Sequence, residues 1–325
     1  MHVIADQIKG QQLTQQGGRH RSMLTTTPER HRKTLDPKLD IVFWMLFGAE
    51  QNRELLISLL NAVLNPAVPI EAVEVLPREP ERLSIADKNI SLDVRVRLRS
   101  GEQVDVEMQS QRRPALRERG LYYWARMFTG QLGRGAPYTK LRRCVVVLIT
   151  DFAELANQRF HSIFRAYERH GHELLSDHFE LHLLELPKLR GAIDRNDEPN
   201  LALWAKFLSA AADEELEKLA MEHPVLKQAK VALDRLSADE IARLQAEQRE
   251  MALLTYEAGI AAACSDAEQR GRAAGTAEML LRLLTIKFGP QSAGVAARLS
   301  SAGETELFRW SERLLSAETI EAVFA

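Results

Sequence analysis

The chain has 325 residues, with 43 Lys and Arg against 45 Asp and Glu, 45% hydrophobic residues and only 2 Cys. This composition is ordinary for a water-soluble protein, and the length predicts about two domains. No apolar run approaches the roughly 20 residues that cross a bilayer, and the N-terminus lacks the apolar core of a signal peptide, so neither a membrane span nor secretion is expected. Cys144 and Cys264 have neither a CxxC motif nor a histidine at metal spacing, which indicates reduced thiols in a cytoplasmic protein.

The N-terminal part of the chain predicts a tail followed by two helices. Residues 1–34 are basic and have almost no apolar periodicity, which predicts a disordered basic tail. The first helix is expected to begin at Asp36-Pro37, since Asp is a good cap and Pro is tolerated at the first helical position. A second helix is predicted from about Asn52 to Asn65. We expect both helices to cover a sheet.

A β-hairpin is predicted from two segments that alternate apolar and polar residues, Ile90–Leu98 and Gln103–Gln109. Each is expected to be half-buried, with one polar face. The residues between them suit a three-residue loop that ends with Gly101 in the left-handed conformation. This register places Val94 opposite Val106 and joins apolar residues to apolar ones, whereas a two-residue turn would mix the two faces.

The same register brings two carboxylates together on the polar face of the hairpin. Asp93 is expected opposite Glu107, with Gln109 beside them, and Arg95 opposite Asp105. Directly opposed like charges destabilise a strand pair, so a compensating group is expected. Mg²⁺ is one candidate, because it is commonly held by one or two carboxylates together with water and phosphate. The alternative is a solvated face on which the acidic pair is merely tolerated.

A basic segment follows the hairpin. Between Arg112 and Arg143 there are nine basic residues and one acidic residue, a net charge of +8. The segment predicts a helix over about Ala115–Leu132 and a strand over Cys144–Ile149. Basic residues can neutralise phosphates, and the interleaved aromatic residues either stack on bases or pack the helix on the sheet, which is the commoner role. These aromatic residues are Tyr122, Tyr123, Trp124, Phe128 and Tyr138.

The remainder of the chain predicts one more strand and then helices. Phe179–Leu186 alternates as a strand, so His178 and His182 do not form a helical metal-binding pair, and no zinc site is expected. Helical patterns begin near Asn200 and are expected to break at Gly271 and Gly275. No catalytic motif lies in this region, which predicts a helical scaffold or assembly module.

Several short motifs, taken in their order and spacing, resemble the PD-(D/E)XK nuclease family transposases, the recombination-promoting nuclease group. The resemblance covers about Leu35 to Leu189, and the segment from Leu280 to Ala317 is similar to a small domain often appended to these proteins. The motifs are Asp93, Glu107-Met108-Gln109, Arg119 to Tyr123, Gln131-Leu132, Gly135, Tyr138 and the start Leu35 to Phe43.

The resemblance implies an α/β fold: a restriction-endonuclease-like core, with a mixed sheet flanked by helices, followed by an all-helical C-terminal region. The implied domains follow the disordered tail of residues 1–34. They are a nuclease-like domain at 35–190, a helical region and linker at 191–270, and a small helical domain at 271–325.

The resemblance also implies an activity, that of a metal-dependent DNA endonuclease, a phosphodiester hydrolase linked to DNA recombination or mobile elements. Asp93 and Glu107 would bind Mg²⁺, or another divalent cation such as Mn²⁺ or Ca²⁺. Gln109 would complete the catalytic set where the wider superfamily usually has Lys; it can orient a water but cannot act as a general base. Asp40 is expected to support the site. Trp44 stands where the family typically has Lys.

DNA is the partner that the resemblance implies, with contacts that are steeply salt-dependent and weakly sequence-specific. A catalytically inert nuclease-fold protein that binds DNA or partner proteins is the alternative. A third hypothesis is an assembly protein whose residues after about Asn200 form an oligomer, and homo-oligomerisation is left open. The residues expected to hold the DNA backbone are Arg112, Arg113, Arg117, Arg119 and Arg126.

Overall fold

The computed structural model describes residues 34–77, 94–194 and 198–325. The predicted tail of residues 1–34 therefore lies almost entirely outside the described residues, as does Asp93. Among the described residues there are six strands and eleven α-helices. The strands are β1 (Val73–Val75), β2 (Val94–Leu98), β3 (Gln103–Gln109), β4 (Cys144–Thr150), β5 (His161–Phe164) and β6 (Phe179–Glu185). The helices are α1 (Asp40–Phe47), α2 (Arg53–Leu64), α3 (Leu116–Thr129), α4 (Leu189–Asp194), α5 (Pro199–Ser209), α6 (Asp213–Glu222), α7 (Pro224–Ala238), α8 (Glu240–Phe288), α9 (Ala293–Ser301), α10 (Glu304–Ser316) and α11 (Ile320–Phe324).

The six strands form one mixed sheet in the order β1-β2-β3-β4-β6-β5. The β3–β4 and β4–β6 pairs are parallel, and the other three pairs are antiparallel. Helices pack on both faces, and the chain continues into a helical C-terminal region. This arrangement confirms the predicted fold class.

The predicted hairpin register is confirmed over the described residues. Val94 pairs with Val106 and Arg95 with Asp105, and the loop is closed by a 2.8 Å bond from Leu98 N to Glu102 O. Gly101 has a φ of 88°, which an L side chain rarely adopts and glycine adopts freely. The turn residue and the apolar alternation thus act together to fix the register.

Burial of β3 differs from the prediction. The expectation of one exposed polar face holds for β2, but all seven residues of β3 are buried. The reason is position: β3 is an interior strand between β2 and β4, and helices lie on both sides of it. The polar residues of β3 are therefore removed from bulk water, which makes their partners decisive.

Two apolar clusters sandwich the sheet. One joins α1, α2, α5 and α7 to one sheet face, with Val104, Val106 and Met108 of β3 among its members. The other joins α3 to the opposite face through Cys144, Val146 and Leu148 of β4. The polar alternate residues of β3 lie on this second face, which we call the α3 face. It contains the acidic residues considered below.

Helix α1 begins later than predicted. Asp36 accepts a 2.9 Å bond from Lys38 N, but it does so in a turn, and the helix starts at Asp40. The Asp36 side chain accepts its hydrogen bond from the backbone N–H two residues later, which favours a turn over helix initiation. A turn therefore takes the place of the predicted helix cap. Helix α2 confirms its prediction: it ends at Leu64, and the following Asn65 has a left-handed conformation with a φ of 41°.

The predicted break at Gly271 and Gly275 is wrong, since α8 runs unbroken for 49 residues. A glycine inside a helix costs only about 0.5–1 kcal/mol relative to alanine. Neighbouring alanines and the i,i+4 ion pairs Arg270–Asp266 and Arg272–Glu268 support the helix there. The C-terminal end of α8 packs with α9, α10 and α11 in a separate apolar cluster, and the predicted domain limits at 190 and 270 stay predictions.

The aromatic residues of the basic segment mainly have the packing role. Trp124 stacks on Phe128 at 4.9 Å and meets Phe179 edge-on at 5.0 Å, so both join α3 to the sheet. Tyr122 and Tyr138 instead remain exposed.

Among the described residues, no helix combines the length and apolar character needed to cross a membrane.

Candidate active site

Glu107 and Gln109 lie near the carboxyl end of β3, on the α3 face. Alternation along the strand places both side chains on the same face, and the Glu107 side chain is 1% exposed. Gln109 Nε2 donates a 3.1 Å hydrogen bond to Glu107 Oε2. Asp93, the predicted partner of Glu107, lies outside the described residues, immediately before Val94. The pairing of the two carboxylates therefore stays a prediction.

Arg119 connects α3 to this carboxylate. Its Nη2 atom lies 3.6 Å from Glu107 Oε2 and also donates a 3.2 Å bond to the Tyr123 hydroxyl. The neighbouring residue, Gly120, allows the helix to approach the sheet, because a Cβ atom there would lie 2.8 Å from Leu181 Cδ1. A small residue in α3 thus brings a guanidinium group to a buried acidic residue.

Asp40 is held by an arginine from the distant helix α8. Arg249 Nε donates to Asp40 Oδ1 at 2.9 Å and lies 3.0 Å from Oδ2, and Arg249 Nη2 also donates to Oδ2. The two side chains are 12% and 11% exposed, so the pair is largely removed from water. Asp40 also accepts from Ile41 N at 2.8 Å, which suits an acidic residue at a helix N-terminus.

Arg113 lies between these groups. Its guanidinium group is 5.7 Å from the centre of the Tyr256 ring, and Tyr256 is two turns after Arg249 on α8. Burial lowers the pKa of Arg113, and the positive charges of Arg249 and Arg119 lower it further. Three guanidinium groups therefore cluster beside Glu107 and Asp40, and the negative charge of Asp40 partly offsets their repulsion.

A second ion pair anchors the turn before α1 to the end of the sheet. Lys38 Nζ donates to Asp151 Oδ2 at 2.7 Å, and Asp151 N donates to Gln109 O at 3.0 Å. Asp151 follows β4, so the carboxyl ends of β3 and β4 and the start of α1 meet at this place. Lys38 is the lysine closest in sequence to Asp40. It brings a positive charge to this end of the sheet, which Trp44 cannot do.

The five arginines predicted to bind DNA separate into groups. Arg113 and Arg119 belong to the cluster described above. Arg117 Nε donates to Glu154 Oε1 at 3.0 Å, and Arg112 lies 3.8 Å from the same carboxylate. Glu154 lies in the β4–β5 connection. Arg126 is positioned over the Tyr122 ring, 5.9 Å from its centre.

The donor chemistry fits a hard divalent cation only if Asp93 contributes. Glu107 supplies carboxylate oxygens of the kind that Mg²⁺ and Ca²⁺ prefer. Within 34–77, 94–194 and 198–325, however, no group of three or more His, Cys, Asp or Glu side chains is arranged to hold a metal ion. Among the described residues at this place, Glu107 thus supplies the carboxylate for a cation, and a second carboxylate ligand from Asp93 stays a prediction.

A second buried polar cluster lies on the sheet face opposite α3, at the β5–β6 edge. His182 Nε2 donates to Glu180 Oε1 at 2.7 Å, and His161 Nε2 lies 2.8 Å from His182 Nδ1. His161 Nδ1 is 2.7 Å from Glu198 Oε1, at the start of α5. Arg143 and Arg165 both bond to Glu180. We call these six residues the histidine network.

Charge in the histidine network is set by burial and by the arginines. Burial lowers the pKa of His182 despite its bond to Glu180, so His182 is neutral at neutral pH. Burial opposes ionisation of Glu180, but the His182 hydrogen bond and the arginines outweigh it and lower the pKa of Glu180 to about 2. With His182 Nε2 donating to Glu180, His182 Nδ1 accepts a hydrogen bond from His161 Nε2.

Sequence reasoning found Glu107, Gln109, Arg113, Arg119 and Asp40, and the structure brings these five residues to one place. It missed Arg249 and Tyr256, which come from a helix interpreted as scaffold, and it missed Lys38 and Asp151. The only sequence signal for Arg249 is its position on the face of α8 that also contains the buried Ala242, Ala246 and Leu253. A charged residue on a buried helix face indicates a buried partner.

A family model described as PD-(D/E)XK nuclease family transposase matches residues 37–263. The match extends past the predicted limit near Leu189 and includes Arg249 and Tyr256 of α8. Neither the comparison with curated proteins nor the comparison with solved structures found a match.

Proposed function

Because the chain belongs to the PD-(D/E)XK nuclease family transposases, we propose that it is a metal-dependent endonuclease that hydrolyses phosphodiester bonds in DNA during recombination or mobile-element movement. The observation that carries the proposal is the position of Glu107 and Gln109. They are buried at the carboxyl end of an interior strand, beside a cluster of guanidinium groups. An acidic group next to cations that suit phosphate is the arrangement that phosphodiester hydrolysis needs.

Asp93 and Glu107 are the proposed ligands of a divalent cation. The support is the β2–β3 register, in which Val94 pairs with Val106, because one further pair in the same register would join residues 93 and 107. A bound Mg²⁺ would act as a Lewis acid and lower the pKa of a water molecule. Two carboxylates at adjoining positions repel each other without a cation, so the same pairing also explains why a cation is needed.

Gln109 has a positioning role in this proposal. Its amide nitrogen donates to Glu107 Oε2, which orients the carboxylate. The amide oxygen can accept a hydrogen bond from the attacking water, but an amide cannot remove a proton at neutral pH. Arg119 and Arg113 supply the positive charge that a lysine at position 109 would have supplied. The arginines would hold the phosphate backbone, with a steep dependence on salt.

Plasmid nicking tests the proposal. Purified wild-type protein is incubated with supercoiled plasmid in Mg²⁺, Mn²⁺, Ca²⁺ or EDTA, alongside Asp93→Ala. We expect cutting with Mg²⁺ or Mn²⁺, no cutting with EDTA, and loss of cutting in the variant. The control is Asp105→Asn, which removes a carboxylate of β3 that is as buried as Glu107 and lies on the same face, one alternate position before it. The control is expected to cut.

The alternative is a catalytically inert nuclease-fold protein that binds DNA or partner proteins. It would be favoured if neither wild type nor variant cuts with any cation while salt-sensitive DNA binding persists. In that case Asp93→Ala would leave the affinity unchanged or raise it, since a negative charge near the backbone is removed.

A further inference from the structure

A cavity of about 280 Å³ lies on the α3 face, between α3 and the strands β4, β5 and β6. Its volume is close to the lower end of the range for small-molecule sites, roughly 300–1,000 Å³. Its floor consists of buried members of the apolar cluster that joins α3 to the sheet. These floor residues are Leu116, Leu148, Leu181 and Leu183. We call this space the α3 cavity.

Two large apolar side chains that line the α3 cavity are exposed to solvent. Leu121 of α3 is 49% exposed, and Phe164 at the end of β5 is 42% exposed. Removing apolar surface from water is favourable, so a ligand with an apolar body gains free energy by covering both side chains and the floor between them. The walls of the α3 cavity therefore favour an apolar ligand body.

The charge at the α3 cavity is positive. Among the described residues that line it, the charged ones are Arg117 and Arg165, whose side chains are 60% and 41% exposed and so lie at its solvent-facing rim. Each bonds to a carboxylate that also pairs with a second arginine. Four guanidinium groups thus face two carboxylates, which leaves a local positive potential. The groups are Arg117 and Arg112 with Glu154, and Arg165 and Arg143 with Glu180.

We propose that the α3 cavity binds a small amphipathic monoanion, with an unbranched apolar chain in the cavity and a carboxylate at the rim. Arg117 and Arg165 are the proposed contacts of the carboxylate, because a guanidinium group matches its geometry. The ligand is a free molecule rather than a lipid surface, since the floor lies below the rim among buried residues. The site is separate from the candidate active site, although Arg119 of the same helix lies 3.6 Å from Glu107.

Isothermal titration calorimetry of the full-length protein tests both halves of the ligand. The probes are octanoate, decanoate, octanol and octylamine. We expect saturable binding of octanoate, and decanoate should bind more tightly by about fourfold for each added methylene, which is the effect of burying one CH₂ group. Octanol should bind about tenfold more weakly than octanoate, because it lacks the charge-assisted hydrogen bonds. Octylamine should bind most weakly, since the rim repels its positive charge.

Two variants locate the binding at the α3 cavity. Leu121→Asp places a negative charge on its wall and should weaken octanoate binding at least tenfold. The matched control is Leu175→Asp, the same change at a leucine that is 81% exposed and does not line the cavity, and it should bind within about twofold of wild type.

Arg117→Gln separates a contact with the head group from a general loss of structure. It should weaken octanoate binding about tenfold but leave octanol binding within about twofold of wild type, because octanol carries no charge for the arginine to meet. A structural effect would weaken both ligands alike. Should Leu121→Asp fail to show a cooperative thermal unfolding transition, this pair of titrations decides the matter.

The inference would be overturned if folded wild-type protein shows no saturable binding of octanoate, or if octanoate and octylamine bind equally. Equal affinities in Leu121→Asp and Leu175→Asp would overturn it as well. Binding to phosphatidylglycerol vesicles without binding of free octanoate would indicate a lipid surface instead. Sedimentation that shows self-association in wild type and a monomer in Leu121→Asp would indicate a second copy of the chain as the occupant, and would also overturn it.

Discussion

The candidate active site and the histidine network are both buried polar clusters in one sheet, yet they differ in how their acidic groups are held. Glu180 bonds to His182 and to two arginines, and the chain of contacts at 2.7–2.8 Å ends at Glu198. Glu107 has a neutral amide at 3.1 Å and an arginine at 3.6 Å. Both acidic residues are buried, so burial alone does not distinguish the two clusters.

Position in the sheet strengthens this difference. Glu107 lies near the carboxyl ends of the parallel strands β3 and β4, where helices α1, α3 and α8 converge and where open α/β sheets usually bind ligands. Glu180 lies near the start of β6, in a network that links two strands to α5. We interpret the histidine network as structural and the β3 cluster as functional, and three predictions follow from that contrast.

Replacing one acidic residue in each cluster should have opposite consequences. Glu107→Gln should lower metal-dependent cleavage by about 100-fold or more, because a proposed ligand is lost, and it should change stability less than Glu180→Gln does, because Arg119 lies 3.6 Å from Glu107 whereas two arginines bond directly to Glu180. Glu180→Gln should keep the cleavage rate but lower the free energy of unfolding by about 2 kcal/mol, since two arginines then face a neutral amide. Plasmid nicking and urea unfolding measure both.

The expected cost of Glu180→Gln is limited because Arg143 and Arg165 are 25% and 41% exposed, so water can solvate them. A Glu107→Gln variant that cuts like wild type would contradict the functional interpretation of the β3 cluster. A Glu180→Gln variant of unchanged stability would contradict the structural interpretation of the histidine network.

The histidine network should also make stability depend on pH. The folded-state pKa of His182 is lowered, so its contribution is complete above the unfolded value of about 6.5 and is lost as the pH falls below it. Glu180, with its pKa lowered to about 2, adds a second loss as the pH falls from about 4.5 toward 2. Each group contributes a slope of at most about 1.4 kcal/mol per pH unit.

Urea unfolding between pH 8 and pH 4 measures the first of these losses. His182→Gln keeps a donor for Glu180 but cannot titrate, so the fall in stability between pH 6.5 and pH 5 should be smaller in this variant. Glu107→Gln serves as the matched variant from the other cluster and should keep the wild-type loss. An identical pH profile for wild type and His182→Gln would contradict the assignment.

The smallest effect concerns the two thiols. Burial raises the pKa of Cys144, on the α3 face, to about 11, whereas Cys264 is exposed on α8. Because the thiolate is the reactive form, we expect a thiol reagent at pH 8 to label Cys264 rapidly and Cys144 only on unfolding. Labelling of Cys264→Ser isolates Cys144. Fast labelling of Cys144 in that native variant would show that α3 does not seal this face.

The sequence by itself determined the hairpin, its register and the type of the neighbouring elements. Alternation and a glycine in a three-residue loop are local signals, so the Val94–Val106 pairing and the grouping of Glu107 with Gln109 follow from residues close in the chain. The family motifs fall in the same segment, which explains why the resemblance and the local pattern agree.

Only the tertiary structure decided which distant groups meet. The contact between Asp40 and Arg249 and that between His161 and His182 depend on how α8 packs on α1 and how β5 pairs with β6. The alternating sequence of β3 is the same as that of a strand in a solvent-exposed hairpin. Its burial arises because it lies inside the sheet, between β2 and β4. Side-chain alternation records which residues share a face, but not what covers that face, because the covering elements come from remote parts of the chain.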